Sequence, residues 1–208
     1  MTRRSKSSNR WLQEHFSDRF VQKAKADGWR SRAVFKLEEA DRSARLFKPG
    51  MTVLDLGAAP GAWSQYASQR IGAKGRLVAS DILPMDAIAG VIFVQGDFRE
   101  ESVAAAIGEA LDGQQADLLL SDMAPNFSGI DAVDQPRAMY LAELALEMAD
   151  KALKPGANAL IKTFQGAGFE ELLDRARRQF TKVRFLKPEA SRARSAETYL
   201  LATGRRMV

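Results

Sequence analysis

The apolar positions of this chain change period along its length, and the change divides it. Over residues 10–26, Trp11, Phe16 and Phe20 stand among polar residues as the anchors of a predicted helix, which Asp27-Gly28 breaks. A second helix is predicted from just after Ser31 to about Leu46. Its apolar stripe is Ala33, Leu37, Ala40 and Ala44, and Lys48-Pro49-Gly50 stops it. From there, short apolar runs alternate with amphipathic stretches. Strands are predicted over 52–56, 76–80, 91–95, 117–121, 157–164, 181–187 and 198–203. Helices are predicted over 62–71, 100–111, 135–153 and 169–180. In the helix over 135–153, Leu141, Leu144, Ala145, Met148 and Ala152 form the apolar face, with Glu143, Glu147 and Lys151 on the other. This order predicts an α/β fold with a mostly parallel seven-stranded sheet and helices on both faces. Only a polar, basic stretch, 188–197, joins the final two strands, which fits a last strand entering antiparallel.

Length and composition narrow the field. A chain of 208 residues suits one domain with a full core. That domain is expected over 10–208, with residues 10–48 as an N-terminal helical extension. The polar, basic residues 1–9 read as a disordered tail. The absence of cysteine excludes disulfides, thiolate zinc sites and a cysteine nucleophile. A single histidine, His15, argues against a histidine-based triad or a multi-histidine metal site. No apolar run approaches a membrane span, so a cytoplasmic protein with no membrane partner and no metal is expected.

The charge is segregated. Residues 1–48 carry 13 Lys and Arg against 6 Asp and Glu, residues 49–169 carry 8 against 15, and residues 170–208 carry 10 against 5. Basic ends around an acidic middle suggest a surface for a polyanion such as nucleic acid.

The acidic middle opens with Val53-Leu54-Asp55-Leu56-Gly57-Ala58-Ala59-Pro60-Gly61-Ala62-Trp63. A glycine turn at the carboxyl end of the first strand lets a ligand approach the backbone closely. A dinucleotide site wants G-x-G-x-x-G, but this turn has Gly57 and Gly61 without the middle glycine. The negative charge of Asp55 opposes phosphates and favours a cation. S-adenosylmethionine, with a sulfonium and an ammonium and no phosphate, fits that description better than NAD. Asp81, ending the next strand, is a candidate for the ribose diol, and Asp97 for the adenine amino group.

Two residues sit where a structural role is costly or unexplained. Asp122 directly follows Leu118-Leu119-Leu120-Ser121, which puts it at the carboxyl end of its strand. Lys162 lies inside the apolar strand 157–164, an expensive place for a charge unless it is paired or catalytic. On spacing alone Lys36 and Glu197 read as surface charges.

Several segments together resemble the FtsJ-type RNA 2′-O-ribose methyltransferases. They are Arg10 to Asp18, Ser31-Arg32-Ala33-x-Phe35-Lys36-Leu37, Asp55 to Gly61, Ser121-Asp122-Met123-Ala124-Pro125-Asn126, and Ser191-Arg192-Ala193-Arg194-Ser195-x-Glu197-x-Tyr199. The chain is most similar to the branch acting on a uridine ribose in the A-loop of large-subunit ribosomal RNA. The resemblance implies a Rossmann-like S-adenosylmethionine-dependent methyltransferase fold and a Lys–Asp–Lys–Glu tetrad of Lys36, Asp122, Lys162 and Glu197. It also implies donor contacts from Gly61, Trp63, Asp81, Asp97 and Asp122, in a turn that keeps Gly57 and Pro60. The implied substrate is 23S rRNA within the 50S subunit, and a monomer is expected. Direct in-line methyl transfer follows, with Lys162 as the proton acceptor or orienting group. Arg3, Arg4, Lys6, Arg10, Arg30, Arg32, Lys187, Arg192 and Arg194 are the expected phosphate contacts. One departure is Ala62, where the family commonly has glycine; a positive φ there would strain the turn.

Overall fold

The structure, a computed structural model, describes residues 18–191 and 195–207. Trp11, His15, Phe16 and the arginines at 192 and 194 lie outside the described residues, as do Arg3, Arg4, Lys6 and Arg10. Two helices come first, α1 (Arg19–Ala26) and α2 (Val34–Ala44). Then β1 (Thr52–Leu56), α3 (Ala62–Ile71), β2 (Arg76–Asp81), β3 (Val91–Gln95), α4 (Glu101–Ala110) and β4 (Ala116–Ser121) alternate. The chain continues through α5 (Asp131–Ala152), β5 (Leu153–Phe164), α6 (Phe169–Gln179), β6 (Phe180–Leu186) and β7 (Glu197–Arg205). The seven strands lie in the order β3-β2-β1-β4-β5-β7-β6. Strands β1 to β5 pair in parallel, and β7 runs antiparallel to β5 on one side and β6 on the other. The expected antiparallel last strand is there, inserted inside the sheet.

Strand periodicity sorts the interior into two cores, one per face. Leu54, Leu56, Leu119, Ala159 and Ile161 point to the face covered by α4, α5 and α6. Val53, Leu118, Leu120, Leu160 and Leu201 point to the face covered by α1, α2 and α3. The described part of the N-terminal extension therefore shares a core with the sheet. Asp18 caps α1 by accepting from Phe20 N at 2.9 Å. Asp41 ties α2 to α3, accepting from Tyr66 Oη at 2.9 Å and from Leu46 N at 2.8 Å.

The expected helix faces are rotated in two places. In α2 the buried residues are Val34, Phe35, Leu37, Ala40 and Asp41, with Ala33 and Ala44 at the margin. Asp41 is drawn inward because it satisfies the backbone where the helix ends. In α5 the buried face is Ala138, Met139, Ala142, Ala145, Leu146 and Ala149, and Leu141, Leu144 and Met148 are half-buried flanks. Small residues at 138, 142, 145 and 149 let the helix approach the sheet closely, and the larger side chains fill its sides. Strand β5 begins at Leu153, so Lys154-Pro155-Gly156 open the strand beside a register shift between Ala116 and Leu118.

Candidate active site

The parallel strands β1, β2 and β4 end at one edge, and the strand order reverses direction between β1 and β4. This is where an open α/β sheet forms a ligand crevice. Gly57 follows β1 with φ 71°, and a Cβ there would lie 2.5 Å from Met123 Cγ. Gly61 caps α3 with φ 104°, and its Cβ would meet Met85, Ile88 and Arg30 at under 3 Å. Both positions need glycine for conformation and for space. Ala62 is the first residue of α3, and the positive-φ non-glycine residues among those described are Arg45 and Asp112. Ala62 thus lacks the positive φ that would strain the turn.

Asp81 braces this turn, with Oδ2 accepting from Ala59 N at 2.9 Å and Oδ1 from Leu83 N at 2.8 Å. Trp63 is buried, and its Nε1 donates to Ala33 O at 2.8 Å. Its side chain belongs to the core, and its backbone N–H lies in the first turn of α3, where N–H groups have no partner within the helix. Asp97 lies beyond β3 with its carboxylate on Arg99, whose hydrogen bonds hold its pKa below the ordinary value. Asp55 is fully buried and accepts from Ser64 Oγ at 2.6 Å. Burial, with smaller contributions from Asp122 and Asp81, pushes its pKa up to about 7. The fixed negative charge expected there is thus only partly present at neutrality.

Asp122 joins this edge to a second cluster. Its N–H donates to Leu56 O at 3.3 Å, at the end of β1. Its Oδ1 meets Lys162 Nζ at 3.0 Å. Lys162 Nζ also reaches Glu197 Oε2 at 3.3 Å, and Glu197 Oε1 takes Lys36 Nζ at 2.7 Å. The residues run as a chain, Asp122–Lys162–Glu197–Lys36, drawn from β5, β7, α2 and the loop after β4. Lys36 and Glu197, surface charges by spacing, are both largely buried.

Residues outside the tetrad hold it. Tyr199 Oη donates to Asp122 Oδ1 at 2.6 Å. Ser191 Oγ donates to Glu197 Oε1 at 2.8 Å, and Lys187 Nζ donates to Glu197 O at 2.6 Å. Lys36 Nζ lies 5.8 Å from the centroid of the Tyr199 ring, whose other neighbour is Trp63 at 5.6 Å. Sequence reasoning missed the positioning roles of Ser191 and Tyr199, whose only signal was their presence in the segment around Glu197.

Burial opposes the charge on Lys162. The carboxylates of Asp122 and then Glu197 outweigh it, so its pKa lies above the ordinary lysine value. Glu197 is likewise penalised by burial, but Lys162 and Lys36 bring its pKa down to about 2. Tyr199 is pushed well above 10 by burial and by Asp122, so it remains a donor. The cluster is two ammoniums interleaved with two carboxylates.

The expected phosphate contacts divide. Arg30 turns inward, with Nη1 on Pro60 O at 3.0 Å and Asp86 O at 2.7 Å, and Nη2 on Ala87 O at 2.8 Å. Arg32 bonds to Asp18 and to Ala190 O. Lys187 also serves the backbone of Ser195. These cations hold the site together.

A parallel sheet closed by an internal antiparallel strand, with a glycine turn and an acidic crevice at its switch point, defines a Rossmann-like methyltransferase fold. The FtsJ-like methyltransferase family model matches residues 29–205. Proteins of Legionella pneumophila strains Corby and Paris, each called ribosomal RNA large subunit methyltransferase E, are 61% identical over 201 residues. These alignments span 97% of this chain and 98% of the relatives. The crystal structure of a Plasmodium falciparum protein described as a ribosomal RNA methyltransferase superposes with a TM-score of 0.76 at 26% identity. That match covers 85% of this chain and 98% of the other. The chain belongs to the FtsJ-like methyltransferase family.

Proposed function

We propose that the protein transfers a methyl group from S-adenosylmethionine to the ribose 2′-oxygen of a uridine in the A-loop of 23S rRNA, on the large ribosomal subunit. The observation that carries this reading is Lys162 Nζ, held between Asp122 and Glu197 beside the glycine turn. The relatives' name, large subunit methyltransferase E, supports the substrate class. The crevice suits the donor, because Gly57 and Gly61 admit close approach and Asp81 and Asp122 offer carboxylates to a cation.

When bound, S-adenosylmethionine supplies a methyl group already activated by its positive sulfur. The protein's work is to place the ribose and take its proton. Lys36 and Glu197 hold the ribose hydroxyls, and Asp122 orients Lys162 toward the attacking oxygen. Without ligands Lys162 is an ammonium and cannot accept a proton. Positive charge brought against Asp122 offsets the carboxylate that keeps it charged, and Lys162 then becomes the acceptor. With donor and ribose bound, Lys162 Nζ would take the 2′-proton while the methyl carbon exchanges its bond to sulfur for one to the oxygen, and neutral S-adenosylhomocysteine would leave. No metal takes part in this scheme.

Large subunits lacking the modification, incubated with labelled S-adenosylmethionine and the protein, should yield labelled 2′-O-methyluridine at one A-loop position. Lys162→Ala should abolish the label while retaining donor binding. Tight subunit binding without label would make the protein an assembly factor. Label surviving Lys162→Ala would remove the proton acceptor.

A further inference from the structure

The loop between β4 and α5 carries a feature that the tetrad does not use. Phe127 is 56% exposed, and Ile130 and Val133 beside it are exposed as well. Scattered apolar side chains on a surface need no explanation, but these three lie within seven residues of one another in a stretch tied down by hydrogen bonds. Asp134, buried in the first turn of α5, accepts from Ser128 N at 2.9 Å, Ser128 Oγ at 2.9 Å and Gly129 N at 2.8 Å. Those bonds also hold the Asp134 pKa below the ordinary value. The loop presents Phe127 instead of collapsing over it.

The Phe127 ring meets Phe164 edge to face, with centroids 5.6 Å apart and planes at 68°. Phe164 is two residues beyond Lys162 on β5, so both side chains lie on the same face of the sheet. Phe164 is paired in register with Glu197, and Lys162 with Tyr199. Directly opposed side chains of an antiparallel pair start about 5 Å apart. The half-buried Phe164 is therefore the immediate neighbour of the tetrad, and Phe127 extends that aromatic surface outward into solvent.

We propose that Phe127, backed by Phe164, is the stacking platform for the unpaired base of the nucleotide whose ribose enters the tetrad. The proposal rests on the reading of RNA ribose as the substrate. A ribose can reach a buried lysine only if its nucleotide leaves the base stack, and a base so exposed needs an apolar face in exchange. Stacking on an aromatic ring supplies it for any base, so Phe127 sets affinity and orientation and leaves base identity to other contacts. Asp134 fixes the platform before RNA arrives.

The test compares Phe127→Ala, Phe127→Leu and Phe127→Tyr with the wild-type protein, using an RNA that the wild type methylates and labelled S-adenosylmethionine. Phe127→Ala should raise the KM for RNA by about tenfold or more, the loss of one base stacked on an aromatic ring. The kcat at saturating RNA and the affinity for the donor should hold within about twofold, since this ring touches neither charge pair of the tetrad. Phe127→Tyr should restore the wild-type KM and Phe127→Leu should not. An unchanged KM in Phe127→Ala would overturn the proposal, as would full rescue by leucine, which would reduce the contact to apolar area alone. If wild-type protein labels no RNA at all, the substrate reading has failed, and that result is separate from the variant comparison.

Discussion

Tyr199 Oη donates a 2.6 Å hydrogen bond to Asp122 Oδ1, the same oxygen that meets Lys162 Nζ at 3.0 Å. One carboxylate oxygen thus divides its charge between a phenol and an ammonium. The phenol restrains how strongly Asp122 holds the proton on Lys162. Tyr199→Phe removes that restraint and keeps the ring packed against Trp63. The base limb of the pH–rate profile should move to higher pH, with kcat near neutrality reduced about tenfold. Stability should fall by about 1 kcal/mol, the net worth of an ordinary buried hydrogen bond. A profile that does not move would show that the phenol only packs.

Glu197→Gln should move the same limb the other way. Without its second carboxylate, Lys162 loses part of what holds its proton, so it titrates lower. Breaking a buried pair costs about 3–5 kcal/mol at neutral pH, visible as a lower melting temperature. The folded Glu197 pKa is about 2 against an ordinary 4.5, so its ion pairs stabilise the fold above pH 4.5 and are lost as pH falls toward 2. Acid titration of stability should therefore be flatter in the variant over that window.

Asp55 carries the opposite sign. Its folded pKa is raised from 3.8 to about 7, so wild-type stability should fall as pH rises between those values and then level off. The loss amounts to as much as about 4 kcal/mol. Asp55→Asn keeps an acceptor for Ser64 Oγ and has no proton to lose. Chemical denaturation at pH 4 and pH 8 should show the variant gaining on the wild type at the higher pH. Equal differences at both would mean that Asp55 ionises freely.

Arg30→Ala should weaken the donor site more than RNA binding. The guanidinium pins Pro60 in the glycine turn and the carbonyls of Asp86 and Ala87, so the segment after β2 should exchange amide hydrogens faster without it. The slope of log RNA affinity against log salt should stay the same, because a cation occupied by three carbonyls displaces no phosphate counterions. A slope reduced by about one would return Arg30 to the RNA surface.

The alternation of strands and helices was legible because buried parallel strands read as short apolar runs between glycine and proline breaks. The antiparallel direction of β7 was legible in the missing helix before it, but its insertion between β5 and β6 was not, because spacing carries no strand order. The rotated face of α5 was not legible, since alanine contributes little to an amphipathic pattern and yet packs closest. Lys36 was invisible to periodicity for a related reason: a lysine beside an apolar stripe resembles a snorkelling surface charge until Glu197, far along the chain, arrives to neutralise it. Arg30 and Arg32 were read as a phosphate surface because sequence gives the charge of a guanidinium but not its partners. Asp122 and Lys162 stood out by their places on the strands, Lys36 and Glu197 joined them only through the whole-chain resemblance, and the roles of Ser191 and Tyr199 needed three dimensions.

The place of β7 has a consequence for synthesis. It follows β6 in the chain yet lies inside the sheet, bonded on both edges. As a ribosome makes the protein, β5 presents an open ladder edge, and β6 has no strand to pair with until residues 197–205 emerge. Those residues close the sheet and deliver Glu197 and Tyr199 in the same step. Before translation reaches them, Lys36 and Lys162 have nothing between them and Asp122 lacks its phenol. A nascent chain that has not yet released residues 197–205 lacks both the closed sheet and the assembled charge cluster.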